Sequence, residues 1–218
     1  MPDFLPSDPR ASAFDHPIFC ESLRLIRAAL LEAGADPLAP LSPPQRDVLL
    51  RLIHSSGDLS LAADLRFSAG ACEAGLQALA AGAPLLTDTA MAAAAVAPMA
   101  RRTFGNPVFS VLDWAPAQAP TGGTRAAAGM EAALRDHPTA VVLVGSAPTA
   151  LELLLAVQAK PALVIGMPVG FVGVAESKRH LAASGLPQIR LEGSRGGAGL
   201  VGATANALLR RAWLDRNL

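Results

Sequence analysis

Gly166-Met167-Pro168-Val169-Gly170-Phe171-Val172-Gly173-Val174-Ala175-Glu176-Ser177-Lys178 follows an apolar segment, Ala162 to Ile165, that reads as a buried strand. The run ends in Glu-Ser-Lys, which opens a helix. A glycine-rich turn between strand and helix presents backbone N–H groups at a helix N-terminus, a geometry suited to phosphate or carboxylate. Two further predicted strands lead into turns of the same kind. Ala140 to Val144 runs into Gly145-Ser146-Ala147-Pro148, and Ile189 to Leu191 runs into Gly193-Ser194-Arg195-Gly196-Gly197. Continuous apolar strands alternating with helices argue a parallel sheet covered on both faces. Ligands bind such sheets at the carboxyl ends of the strands, so all three turns are expected on one edge.

The remaining elements fit that frame. Pro17 sits where a helix can begin, and Ile18, Leu23, Leu25, Ile26 and Leu30 follow at roughly helical spacing up to Gly34. Ser42-Pro43-Pro44-Gln45 is a capping-box signal with proline at the first helical position. Val48, Leu49, Leu52 and Ile53 supply its buried stripe, and Gly57 ends it. Further helices are expected over Ala71 to Ala81, Ala90 to Ala100, Gly123 to Arg135, Pro148 to Ala159, Ala175 to Ala183 and Ala198 to Trp213. Short strands are expected at Ala83 to Leu86 and Val108 to Leu112. The first 15 residues carry Pro2, Pro6 and Pro9 and read as an arm suited to docking on a partner subunit. The expected class is α/β: an open, mostly parallel sheet with helices on both faces and an N-terminal helical segment, forming a single domain over residues 1–218.

Lys+Arg and Asp+Glu both number 18, and charged residues make up only 17% of the chain. That balance argues against a broad nucleic-acid or anionic-membrane surface. Any anionic ligand must be met by local arginines and backbone amides. Cys20 and Cys72 have no metal-ligand spacing and read as thiols in a reducing compartment. The N-terminus has no signal-peptide pattern, and the richest apolar stretches are too short to span a bilayer. These features point to the cytoplasm.

Gly197-Ala198-Gly199-Leu200-Val201-Gly202 is a literal GxGxxG after a predicted strand. A dinucleotide site also needs an acidic residue at the end of a second strand about 20 residues on. Asp215 has roughly that spacing but falls on or just after the same helix, so a nicotinamide site is not expected.

His54 is the strongest candidate for chemistry. It ends the second helix, where the partial negative charge of the helix terminus favours an imidazolium and would raise its pKa. That makes it a usable general acid, although a histidine there also serves simply as a cap. His16, His137 and His180 assemble into nothing, and no metal-ligand set is visible. Arg125 and Arg195 lie beside glycine turns and can fork two N–H bonds onto a carboxylate, or be merely solvated. Asp88 ends a strand and either orients a neighbouring side chain or caps a helix through Thr89.

Several segments together resemble the precorrin-8X methylmutase (precorrin isomerase) family of corrin biosynthesis over nearly the whole chain. They are Pro17-Ile18-Phe19-Cys20-Glu21-Ser22, Arg51-Leu52-Ile53-His54, Ala80-Ala81-Gly82-Ala83-Pro84-Leu85-Leu86-Thr87-Asp88, Thr124-Arg125, Gly145 to Leu151, the Gly166 run and Arg195-Gly196-Gly197. The resemblance implies an isomerase that moves a methyl group from C-11 to C-12 of precorrin-8X, or of its cobalt counterpart, without a cofactor or metal of its own. It implies that His54 is the catalytic residue, donating a proton or strong hydrogen bond to the tetrapyrrole. It implies ligand contacts at Ser22, Arg125, Gly145, Ser146, Gly166, Gly170, Gly173, Lys178, Arg195, Gly196 and Gly197. It also implies a homodimer with the pocket near the subunit interface. A non-catalytic corrinoid carrier is the alternative reading. The chain departs from the family pattern at Ser55-Ser56, where Ala-Cys is common, and at Ser146, where Asn is usual. It departs again at Ala126 and Ala198, where Ser is frequent, and at Ala95, where Gly is usual.

Overall fold

The structure, a computed structural model, describes residues 13–32, 34 and 36–217. One six-stranded sheet organises them, in the order β1-β6-β5-β4-β2-β3. The strands are β1 (Leu65–Phe67), β2 (Leu85–Thr87), β3 (Val108–Ser110), β4 (Val141–Val144), β5 (Leu163–Gly166) and β6 (Gln188–Leu191). All neighbours are parallel except β1, which pairs antiparallel with β6, Arg66 opposite Arg190. The sequence reading did not anticipate β1. Three residues carry too little periodicity to separate a strand from a loop.

The helices are α1 (Pro17–Glu32), α2 (Pro43–Ser56), α3 (Leu61–Asp64), α4 (Ala71–Ala80), α5 (Ala90–Arg102), α6 (Arg125–Asp136), α7 (Pro148–Ala156), α8 (Val174–Ala183) and α9 (Ala198–Asn217). Side chains of a strand alternate between faces, and this divides the core in two. Val141, Leu143, Leu163 and Ile165 join α1, α2, α4, α5 and α9 on one face. Val142, Val144 and Val164 join α6, α7 and α8 on the other. The Val108 strand is shorter than expected because Val111–Asp113 turns into a 3-10 helix, where Ser110 Oγ accepts from Leu112 N. The proline-started helix α7 stops at Ala156, before the expected Ala159.

α2 starts after Ser42, whose N–H donates to Gln45 Oε1 at 2.9 Å. It ends at Gly57 in the left-handed region (φ 70°), where no side chain competes for space and the N–H returns to Ile53 O. Buried ion pairs fix α2 against its neighbours. Arg210 of α9 grips Asp15 with both partners 5% exposed, and Asp47 of α2 lies within 3.8 Å of Arg210 and 3.6 Å of Arg211. Phe14 packs on Leu214, and the Arg102 guanidinium lies over the Phe14 ring. The described end of the expected arm therefore docks on its own chain; the rest, residues 1–12, lies outside the described residues.

Candidate active site

The carboxyl ends of β4, β5 and β6 carry the three glycine turns side by side, as the parallel order requires. The turns are stitched by backbone bonds: Val169 N to Gly145 O, Gly170 N to Ser194 O, and Gly197 N to Met167 O. Gly196 is a steric necessity, because a Cβ there would fall 1.9 Å from Met167 O. Gly166 is also packing. It is buried within β5, and a Cβ would strike Leu181 of α8. What the structure gives this residue, the last of β5, is a packing role.

The turn after β4 is already occupied by an anion from the chain itself. The N–H groups of Gly145, Ser146 and Ala147 all donate to Asp88 Oδ2, at 3.0, 2.6 and 2.7 Å. Asp88 is 1% exposed. Burial raises its pKa even against those three bonds. It caps α7 from across the sheet, where Ala147 offers no side chain, while Thr89 itself caps α5 by accepting from Ala92 N. Neither role expected for Asp88 is the one found. The amides of Gly145 and Ser146 are consequently spent, and only the exposed Ser146 side chain faces outward.

Lys178, also expected at the ligand, has its ammonium on the backbone. It is fully buried, and its ammonium donates to Gly193 O at 2.8 Å and Arg195 O at 2.6 Å. Desolvation pulls its pKa down to about 8. The lysine thus shapes the turn after β6 from beneath. From that turn Arg195 reaches Asp58 (2.8 Å), Ser60 (2.6 Å) and Asp64. These bonds tie the turn to the segment that follows α2 and bring His54 to the same end of the sheet.

His54 is half-buried, and Ser22 Oγ of α1 lies 2.7 Å from its Nδ1. Phe19, one turn earlier on α1, stands edge-to-face with the imidazole at 5.0 Å between centroids. Its pKa lies below the usual histidine value, first because of burial and second because of the Arg51 guanidinium. The sequence reading expected the opposite, and the helix-end charge is outweighed by these two effects. Ser22, expected as a ligand contact, has the histidine as its partner in this structure.

Arg125 opens α6 on the opposite face of the sheet, exposed, with Nε on Pro116 O at 2.8 Å. An open groove of about 650 Å³ runs there between the starts of α6, α7 and α8, lined among others by Thr124, Thr149, Val172 and Gly173. Gly170 and Gly173 carry positive φ (130° and 69°) and bend the run so that Phe171 and Val172 stand 94% and 89% exposed. The third glycine of the GxGxxG segment serves helix packing, with Gly202 against Ala95 of α5, and Asp215 pairs with Arg211.

Comparison with known proteins gives one consistent answer. The family model Precorrin-8X methylmutase matches residues 17–211. A Precorrin-8X methylmutase of Pseudomonas aeruginosa is 42% identical over 200 residues, covering 88% of this chain and 93% of that protein. A Cobalt-precorrin-8 methylmutase of Synechocystis is 35% identical, covering 92% and 98%. The crystal structure of precorrin-8x methyl mutase from Thermus thermophilus superposes with a TM-score of 0.79 at 41% identity, over 90% of this chain and 98% of that one.

Proposed function

The chain belongs to the precorrin-8X methylmutase family, and from that premise we propose that His54 is the general acid of its reaction. The protein is an isomerase of cobalamin biosynthesis acting on a precorrin tetrapyrrole. The reaction moves the C-11 methyl to C-12. Protonation of the ring system by His54 stabilises the conjugated intermediate through which the methyl passes. Because the product is an isomer, the proton lent is returned, and the imidazole ends as it began.

The observation that carries this reading is the Ser22–His54 contact. A serine hydroxyl accepts from Nδ1–H in the imidazolium and goes on accepting from it after Nε2 has given its proton to the substrate. It therefore holds the ring in one orientation through both states and leaves Nε2 for the substrate. Phe19 keeps one side of the ring dry. The macrocycle lies at the carboxyl edge, and its acetates and propionates meet Ser146, Gly170, Gly173, Gly196, Gly197 and Arg125. The Arg195 side chain stays on Asp58 and Asp64, so that residue contributes through its turn.

The working unit is a homodimer in the cytoplasm. Ile18 and Leu25 stand 72% and 53% exposed at i−4 and i+3 from Ser22, an apolar strip that a second copy covers. Among the described residues no helix is long and apolar enough to cross a membrane.

The test is anaerobic incubation of the purified protein with precorrin-8X and, separately, with its cobalt-loaded form, followed by absorption. A change of chromophore in either identifies the isomerase and its preferred metal state. Binding without conversion of both would make the protein a corrinoid carrier.

A further inference from the structure

Two of the glycine turns on the carboxyl edge are built around a buried charge, and the charges are opposite. The turn after β4 points amides inward, where Gly145, Ser146 and Ala147 donate to the carboxylate of Asp88. The turn after β6 points carbonyls inward, where Gly193 and Arg195 accept from the ammonium of Lys178 at 2.8 and 2.6 Å. In a planar trans peptide the N–H points opposite to the C=O of the preceding residue, and no described peptide is cis. Holding those two carbonyls beneath the turn therefore directs the N–H groups of Ser194 and Gly196 away from the interior. Neither N–H has an acceptor among the described residues. The first turn uses its donors within the chain, whereas the second leaves two of them at the edge where such sheets bind ligands.

Stability alone does not call for a lysine there. Lys178 is fully buried on α8, and among the described residues no carboxylate lies within 4.0 Å of it. The carboxylates it senses at longer range, Glu192 and Asp64, are held by Arg190 and Arg195. An ammonium taken out of water and met only by neutral carbonyls costs stability that an unbranched apolar side chain would not. Buried charges kept against that cost mark functional sites. We propose that Lys178 is a positioning residue for the methyl migration: its ammonium holds the turn after β6 with carbonyls inward and so presents the amides of Ser194 and Gly196 to the acidic side chains of the tetrapyrrole. The inference rests on the reading that this edge receives the tetrapyrrole.

The rest of the turn agrees with that division of labour. Its peptides are fixed alternately by the lysine and by the Gly166 run. Ser194 O accepts from Gly170 N, and Gly197 N donates to Met167 O, while the two peptides between and before them are the ones Lys178 holds. Gly196 admits no side chain, since a Cβ there would fall 1.9 Å from Met167 O, so its amide has no side chain of its own over it. The Arg195 guanidinium is engaged by Asp58 and Asp64, which leaves the backbone as the donor this turn offers. The ammonium also stands behind both peptides, and its charge favours an anion in front of them.

The experiment compares wild type, Lys178→Met and Lys178→Gln. Methionine fills the site without a donor, and glutamine keeps an N–H donor without the charge. Each protein is measured for kcat and KM with precorrin-8X, and for affinity toward two probes: the isomerised product and the same product with its carboxylates methyl-esterified. Lys178→Met should raise KM and the product Kd by roughly tenfold, the worth of one hydrogen bond to a charged group, with the loss confined to KM. The preference for acid over ester should fall by the same factor, because the ester brings no charge for the amides to meet. Lys178→Gln should fall between the two in each readout, and it carries the test alone if the methionine variant does not fold. A lysine that only supports the fold would weaken acid and ester alike. That result, unchanged product affinity in a folded variant, or failure of both variants to fold would overturn the inference while leaving the function intact. A wild type that binds neither probe would overturn the functional reading, and this one with it.

Discussion

Ser22 Oγ lies 2.7 Å from His54 Nδ1, joining two helices across 32 residues of chain. The bond is the link between fold and chemistry, because α1 is itself pinned at its start by Asp15 on Arg210. Removing it in Ser22→Ala should lower kcat by roughly five- to tenfold, the worth of one hydrogen bond, with KM nearly unchanged. Ser22→Thr should recover most of the loss. Steady-state kinetics distinguishes this from a serine that only contacts substrate, for which KM would move instead.

Asp88 holds the turn after β4 by three amides, so Asp88→Ala strands three buried N–H groups at the start of α7. A loss of roughly 3 kcal/mol is expected in urea unfolding. Asp88→Asn retains an acceptor oxygen and should recover much of it. The pH dependence has a definite sign. Burial raises the folded-state pKa above 3.8, so the acid form is favoured on folding. That advantage is complete below 3.8 and is lost as pH rises through the folded-state value. The stability of wild type relative to Asp88→Asn should therefore shrink over that rise. A difference that grew instead would mean that the three amides outweigh burial.

Lys178 provides the converse case. Its folded-state pKa of about 8 lies below 10.5, so between those values the unfolded chain binds more protons. Stability contributed by this group rises with pH across that window as the buried charge is relieved. Wild type should gain on Lys178→Met from about pH 8 to 10.5 in chemical unfolding. A flat difference would place the ammonium in contact with water.

The sheet was legible because β4 and β5 are uninterrupted apolar runs leading into glycine, while β6 places Ile189 and Leu191 just before Glu192-Gly193. α2 was legible because Ser42, Pro43, Gln45 and Gly57 mark both its ends. Long-range partnerships were not. Nothing in Gly145-Ser146-Ala147 says that an aspartate 57 or more residues earlier fills its amides. Helix periodicity alone does not reveal that the turn after β6 folds over Lys178. The direction of the His54 shift was misread for the same reason: helix position is visible in sequence, whereas burial and the field of Arg51 are properties of packing. The antiparallel edge strand β1 had three residues with which to announce itself.

The GxGxxG segment yields a contrast that tests its reassignment. Gly199 is exposed in the first turn of α9, and a Cβ added there would meet nothing within 4 Å, so Gly199→Ala should be neutral or stabilising by up to about 1 kcal/mol. Gly202→Ala meets Ala95 at 2.8 Å and should cost about 1–3 kcal/mol by overpacking. Gly196→Ala, with a backbone oxygen at 1.9 Å, should cost more than either. Thermal unfolding of the three orders them. A Gly199→Ala variant that lost activity while staying folded would return a ligand role to this segment.

The central claim, that His54 protonates the tetrapyrrole, is tested most directly by His54→Asn, measured for product affinity and for single-turnover conversion of precorrin-8X. The amide keeps much of the ring's shape and hydrogen bonding but cannot deliver a proton. The account predicts product affinity within severalfold of wild type and a conversion rate lower by roughly 10²–10⁴-fold. Conversion at close to the wild-type rate would contradict it.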